Sequence, residues 1–240
     1  MRAVYVSVAA LAVTLAVTSA MQAQATPAQA PMPQDADRKV VGGGITAPGW
    51  MGQADGAGKV EDAKFVLAAG KYTITTGPAV NYWNPSNVGK GDYSVKATFT
   101  EPNYMNLNNH AHPYGIFIGG ADLGKPEASL LYCAPYGSGT VIVRGFGGLT
   151  PEGKPATFRM NGRGSAHDAV KKVEKGQSVT QEVMWTVKGD RAECSINGAV
   201  VAGYTKAELV GPGKLKSTDG IYGIRAAHNV DVIVSGFEKK

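Results

Sequence analysis

DGIYGIRAAHNVDVIVSGFEKK, residues 219–240, decides the class of this chain. A turn at Asp219-Gly220 leads into a short strand, and His228-Asn229 turns the chain into a second one. There Val230, Val232 and Val234 alternate with Asp231, Ile233 and Ser235. Successive side chains on a strand point to opposite faces, so the alternation describes one packed face and one wetter face. The segment reads as the closing hairpin of an antiparallel β-sandwich.

The same signal recurs upstream. Tyr72 and Ile74 alternate with threonines between Lys71 and Thr76. Between Gly91 and Thr100, Tyr93, Val95, Ala97 and Phe99 oppose Asp92, Ser94, Lys96 and Thr98. Tyr114 to Ile118 is apolar throughout, as expected for a strand covered on both sides. Ser129 to Ala134 and Thr140 to Phe146 flank a Pro-Tyr-Gly-Ser-Gly turn and predict a hairpin. Val179, Val183, Trp185 and Val187 form a further stripe, interrupted only by Gln181. Asn197-Gly198 accepts positive φ at both turn positions, a strong short-range hairpin signal. With 32 glycines and 13 prolines the chain suits turns better than long helices, and one short helical turn is expected near Lys206 to Val210. The predicted fold class is all-β, a two-sheet antiparallel β-sandwich of jelly-roll type with little helix.

Three segments are expected in the 240 residues. Met1-Arg2, an apolar run and then small residues have the layout of a signal peptide over residues 1–25, with Ala23-Gln24-Ala25 as the preferred cleavage site and Ala20 or Ala23 as alternatives. The run is a little short for a spanning helix, which needs ~20 apolar residues. Residues 26–48 are rich in Ala, Pro, Gln and Gly without periodicity and read as a flexible arm. The β-sandwich domain then covers residues 49–240. This layout predicts a secreted or periplasmic protein, with no stable membrane insertion once the leader is removed.

The formal charge of +5 is scattered, apart from Lys171, Lys172 and Lys175. A nucleic-acid binder needs a basic stripe with interleaved aromatics, so no nucleic-acid partner is expected. Cys133 and Cys194 lie in predicted strands. An exported protein could oxidise them to a bridge across neighbouring strands, and two buried thiols are equally consistent with the sequence.

The order of elements resembles a known superfamily. GDYSVKATF (residues 91–99), HPYGIFIGG (112–120), SLLYC (129–133), VIVRG (141–145), VMWTVKGDRAECSINGAVV (183–201) and GIYGIRAAHNVDVIVSGF (220–237) are similar in succession to the concanavalin-like jelly rolls. These include laminin-G-type modules, lectins, laminarinase-like domains and the 3-keto-disaccharide hydrolase domains of secreted bacterial proteins. The resemblance implies the fold over most of Trp50 to Phe237. It does not by itself choose among catalyst, sugar binder and interaction module. The laminarinase-like enzymes carry a Glu-x-Asp-x-x-Glu strand, because retaining hydrolysis needs two carboxyls ~5 Å apart. Here Glu101, Glu127, Glu152, Glu182 and Glu193 are each solitary, a departure that argues against that activity.

Four places could carry chemistry. In NYMNLNNHAHPY (residues 103–114), His110 and His112 share one side of an extended strand and could grip a transition metal if a third ligand, such as His167 or His228, converged. Nothing in the spacing demands that ligand, so no metal and no cofactor are assigned. The amides, imidazoles and tyrosines of the same segment also suit a sugar-binding lip, or simply solvate the start of a strand. Asn81-Tyr82-Trp83-Asn84-Pro85 combines aromatics with amides, as a carbohydrate platform does, although the sequence favours slightly the alternative in which Trp83 is a core residue and Asn84-Pro85 turns the chain. Arg144 and Arg225 sit on apolar strands, where a charge must face a groove or find a cross-strand acid. The long polar stretch from Gly147 to Gln177 reads as a lid or a disordered insertion, with His167-Asp168 as a weak base-and-orienter pair.

The expected ligand contacts are Trp83, Asn109, His110, His112, Tyr132 and Arg144, with a glycan or a small polyhydroxylated ligand as the partner; no catalytic residue is assigned. One alternative is a hydrolase or lyase acting on a modified disaccharide such as a 3-keto-disaccharide, with His110 or His112 moving the proton. A second is a non-catalytic module that contacts another envelope protein.

Overall fold

The computed structural model describes Met1, residues 35–107 and residues 109–240. Apart from Met1, the signal peptide read at residues 1–25 and the first part of the arm lie outside the described residues. From Asp35 onward the chain forms one compact unit.

The strands are β1 (Gly44–Ile45), β2 (Met51–Ala54), β3 (Ala63–Ala68), β4 (Lys71–Thr76), β5 (Val80–Gly89), β6 (Tyr93–Glu101), β7 (Tyr114–Ala121) and β8 (Ser129–Pro135). They continue as β9 (Thr140–Leu149), β10 (Pro155–Arg159), β11 (Ser165–Ala166), β12 (Val179–Lys188), β13 (Arg191–Ile196), β14 (Ala199–Thr205), β15 (Gly220–Ala226) and β16 (Asp231–Lys239). The first sheet runs β1-β3-β4-β16-β6-β12-β13-β14 and the second β10-β9-β8-β7-β15-β5-β2, with β11 on β9. This is the expected two-sheet jelly-roll sandwich. Among the described residues every pairing between these strands is antiparallel except β1 with β3. The expected helical turn is α1 (Lys206–Leu209), held by a capping box between Thr205 and Glu208.

The alternating residues do what their pattern requires. Along β6, Tyr93, Val95, Ala97 and Phe99 are buried while the residues between them are half-exposed. They meet Ile116, Ile118, Leu131, Cys133 and Ile224 from the second sheet in one core. Trp185 Nε1 donates to the Ile116 carbonyl at 3.0 Å, so the largest buried side chain is also tied across the sandwich. Gln181, which breaks the apolar stripe of β12, accepts the Lys171 backbone N–H at 2.9 Å through Oε1 and is fully buried. Asn197 and Gly198 have φ of 50° and 86°, as their hairpin between β13 and β14 demands. Cys133 on β8 and Cys194 on β13 form a disulfide. It joins the two sheets rather than neighbouring strands.

Three readings need correction. The last two strands are not a hairpin: β15 pairs with β5 and β7, and β16 with β4 and β6. The turn at His228-Asn229 instead carries the chain from one sheet to the other. Its polar groups are taken by the β4–β5 turn, with Asn229 N donating to Gly77 O and Thr76 N to Val230 O. Alternation reports which face is packed, not which strand lies alongside. The stretch from Gly147 to Gln177 is neither lid nor disordered insertion, because β10 and β11 both pair with β9 and Val170 is buried in the core. His167 is spent locally there, its Nδ1 accepting the Ala169 N–H at 3.1 Å.

The arm read at residues 26–48 is held down from Asp35 onward. Arg38 makes a bidentate pair with Asp231 at 2.7 and 2.9 Å and donates to the Thr76 and Val230 carbonyls. Gly44 and Ile45 then pair with Lys64 and Phe65 of β3. A low-complexity composition hid contacts whose partners lie far away in sequence.

Candidate functional site: a cavity on the outer face of the second sheet

Direct cross-strand neighbours share a face of a sheet. The second sheet carries a row Trp83–Gly223–Phe117–Tyr132–Arg144 across β5, β15, β7, β8 and β9. Trp83, Phe117 and Tyr132 pack with Leu130, Ala134 and Ile142 in a cluster separate from the main core, on the side of the sheet that faces away from the first sheet. Gly223 makes room in this row. A Cβ there would lie 2.2 Å from the Tyr82 carbonyl oxygen and 2.5 Å from the Phe117 ring.

A cavity of about 350 Å³ opens on this face, between the end of β2, the β7–β8 loop and the far ends of β8 and β9. Its lining includes Gln53, Asp55, Asn81, Lys125, Leu130 and Phe146. The β7–β8 loop is pinned by Gln53, which donates to the Lys125 carbonyl and accepts the Gly124 N–H, each at 3.1 Å. Two of these lining residues are held by Arg225, which makes a bidentate ion pair with Asp55 at 2.5 and 2.7 Å and donates to Asn81 Oδ1 at 3.2 Å. Its guanidinium lies 5.3 Å from the Tyr132 ring centroid and 5.7 Å from that of Phe146. A flat cation held between aromatic rings and paired to an acid fixes both the rings and the carboxylate in place.

Arg225 therefore has the acid that a charge on an apolar strand requires. Arg144 has no ion pair among the described residues, and its buried Nε lacks a hydrogen-bond partner. Trp83 is only 2 % exposed and Gly124 of the β7–β8 loop sits against its indole, so it supports the floor and offers no open ring. That corrects its reading as a stacking platform. A ring of that size gains more by burial than by waiting on the surface.

Asn109, His110 and His112 lie elsewhere and do not line the cavity. Asn109 is exposed and accepts a hydrogen bond from Lys175 Nζ at 2.9 Å. His110 and His112 meet His228 of the β15–β16 turn around Asp35. Asp35 Oδ2 is 2.8 Å from His110 Nδ1, 3.0 Å from His112 Nε2 and 3.4 Å from His228 Nε2. Burial, followed by the neighbouring His228 charge, pushes His112 down to about 4, so this imidazole is neutral at physiological pH. Burial works against the Asp35 charge, but the hydrogen bond with His110, the other imidazoles and Asn229 hold that carboxyl below its usual range.

The sequence-based set thus divides in two. Tyr132 and Arg144, with Trp83 beneath, share the sheet face on which the cavity opens but do not line it, whereas Asn109, His110 and His112 stand at the β6–β7 turn. Sequence reasoning missed Gln53, Asp55, Lys125 and Phe146. The one available signal was Arg225, a charge whose partner had to be sought at long range.

Neither a family model nor a curated protein matches this chain. Solved structures do. A galectin-like-fold protein of unknown function from Bacillus subtilis matches at 11% identity, covering 79% of this chain and 88% of its own, with TM-score 0.51. A family 16 endo-glucanase from Bacteroides ovatus matches at 9% identity, covering 77% and 92%, with TM-score 0.50. A carbohydrate-binding module from Bacillus subtilis is also similar, at 11% identity over 80% and 95%, with TM-score 0.48. At these identities the likeness is one of fold, the concanavalin-like jelly roll.

Proposed function

We propose that the chain is an exported glycan-binding module that seats a saccharide in the cavity beside Asp55, Asn81 and Phe146. The observation that carries this reading is the cavity floor. Asp55, Asn81 and Gln53, each held by its own hydrogen bonds, line it with Lys125 beside the apolar surfaces of Phe146 and Leu130. Sugars present the same mixture, with hydroxyls at the ring edge and C–H groups on the face. The Arg225–Asp55 pair, a buried guanidinium on a half-exposed carboxylate, holds both carboxylate oxygens in place in advance, which reduces the ordering that binding must supply. The inter-sheet disulfide supports an oxidising, extracytoplasmic address.

The test is a glycan array followed by titration calorimetry on the hits, with Phe146→Ala, Lys125→Ala and His110→Ala variants. Binding that is lost in the first two and kept in the third is expected. A protein that binds no saccharide on the array, 3-keto-disaccharides included, or one whose binding ignores Phe146→Ala, overturns the proposal.

A further inference from the structure

The cluster around Asp35 has a composition and shape that the saccharide cavity does not explain. It draws on three distant segments: Asp35 and Asp37 from the N-terminal segment, His110 and His112 from the β6–β7 turn, and His228 from the β15–β16 turn. Ligand atoms of Asp35, His110 and His112 all lie within 4.8 Å of one another. The His112 and His228 rings are 4.3 Å apart, nearly perpendicular.

Hydrogen bonding alone accounts poorly for this arrangement. A carboxylate oxygen offers about two lone-pair sites, yet three imidazole nitrogens approach Asp35 Oδ2. His112 Nε2 is buried and stands 3.0 Å from that oxygen without hydrogen-bond geometry, on a side chain only 8% exposed. The three nitrogens nevertheless lie at 2.8–3.4 Å from Asp35 Oδ2, near the separation of neighbouring ligands around a metal, and His228 joins the group through that oxygen. Ligand atoms in a tetrahedral site with bonds of ~2.0–2.1 Å sit roughly 3.3 Å from each other.

The surrounding residues orient the set in the way metal ligands are oriented. Asn229 Nδ2 donates to Asp35 Oδ1 at 3.0 Å, leaving Oδ2 to face the histidines. Asp37 Oδ1 takes the Nδ1 side of His228 at 2.9 Å, so that Nε2 is the nitrogen turned toward the cluster. A carboxylate behind a ligating histidine fixes its tautomer and raises its basicity.

We propose that Asp35, His110, His112 and His228 form a site for a divalent metal ion of the zinc class, which fastens the N-terminal segment to the sandwich. Three imidazoles with a single carboxylate suit Zn²⁺ and its transition-metal neighbours, while Ca²⁺ and Mg²⁺ require a shell of oxygens. The site is independent of the saccharide cavity, whose lining shares no residue with it.

The experiment uses the full chain without a polyhistidine tag, stripped with a chelator and titrated with Zn²⁺ against a competing chromophoric chelator. One Zn²⁺ per chain is expected, with no competition from Ca²⁺. His110→Ala removes an exposed side chain and should leave the fold intact by circular dichroism while weakening Zn²⁺ by more than tenfold; Asp37→Asn should weaken it by about tenfold. Zn²⁺ should also slow trypsin cleavage at Arg38 and Lys39 in the wild-type protein and not in His110→Ala. Failure to hold Zn²⁺ at micromolar concentration overturns the proposal. So does Zn²⁺ affinity that is unchanged in both His110→Ala and His228→Ala. In either case the cluster is a hydrogen-bonded clamp alone.

Discussion

Glu101, the last residue of β6, allows a quantitative test of how burial sets the pH response of the fold. It is 4 % exposed, and its Oε2 has no hydrogen-bond partner. Burial, with the Asp231 charge adding to it against a backbone hydrogen bond from Met105, lifts the carboxyl from the usual 4.5 to about 7. An acid whose pKa is raised in the folded state binds its proton more tightly there than in the unfolded chain. Stability is therefore complete below pH 4.5, falls as pH rises through the interval to about 7, and is level beyond. At 1.36 kcal/mol per pH unit, the interval corresponds to about 3 kcal/mol. Glu101→Gln keeps the shape and stays neutral, so this loss is absent from its pH profile. Urea unfolding of both proteins at half-unit steps from pH 4.5 to 8 isolates the difference, because every other titrating group is common to the two. The variant should gain roughly 2–3 kcal/mol on the wild type between the ends of the series. Two curves that run parallel to within about 0.5 kcal/mol would falsify the assignment of the buried proton to Glu101.

Two further outcomes follow from the packing. Asp55→Ala leaves the Arg225 guanidinium buried without its counter-ion and should destabilise the fold by about 3 kcal/mol in urea, whereas the double variant Asp55→Leu/Arg225→Met should recover most of the loss. Breaking the Cys133–Cys194 bridge, which spans 61 residues, by the Cys133→Ala/Cys194→Ala pair should cost about 4 kcal/mol. Equal stability of this variant and the oxidised wild type would show that the bridge adds nothing to the packing around it.

Alternation made the strands legible. β4, β6, β12 and the Asn197-Gly198 hairpin could be read directly, because local side-chain periodicity and turn chemistry are written in neighbouring residues. Partnership was less legible. The β15–β16 turn looked like a hairpin, since nothing within residues 219–240 says that Gly77 and Thr76 will take its hydrogen bonds. The site suffered from the same limit. Arg225 announced that it needed an acid, but Asp55 stands 170 residues earlier in a glycine-rich stretch. His110 and His112 were visible as a pair by spacing, while the convergence of His228 and Asp35 on them depends on the crossover between sheets. Trp83 beside two asparagines had the composition of a platform, and only the loop that covers it shows otherwise.

The two-residue strand β1 has a use out of proportion to its length. Lying parallel along β3, it occupies hydrogen-bonding groups at a margin of the first sheet that would otherwise face solvent. A chain begun at Gly49, the boundary that composition suggests, would lose this cover together with the Arg38 anchor. Its bare rim would then be open to the matching rim of another copy, so a shortened protein that self-associates would be reporting its truncation, not its native state.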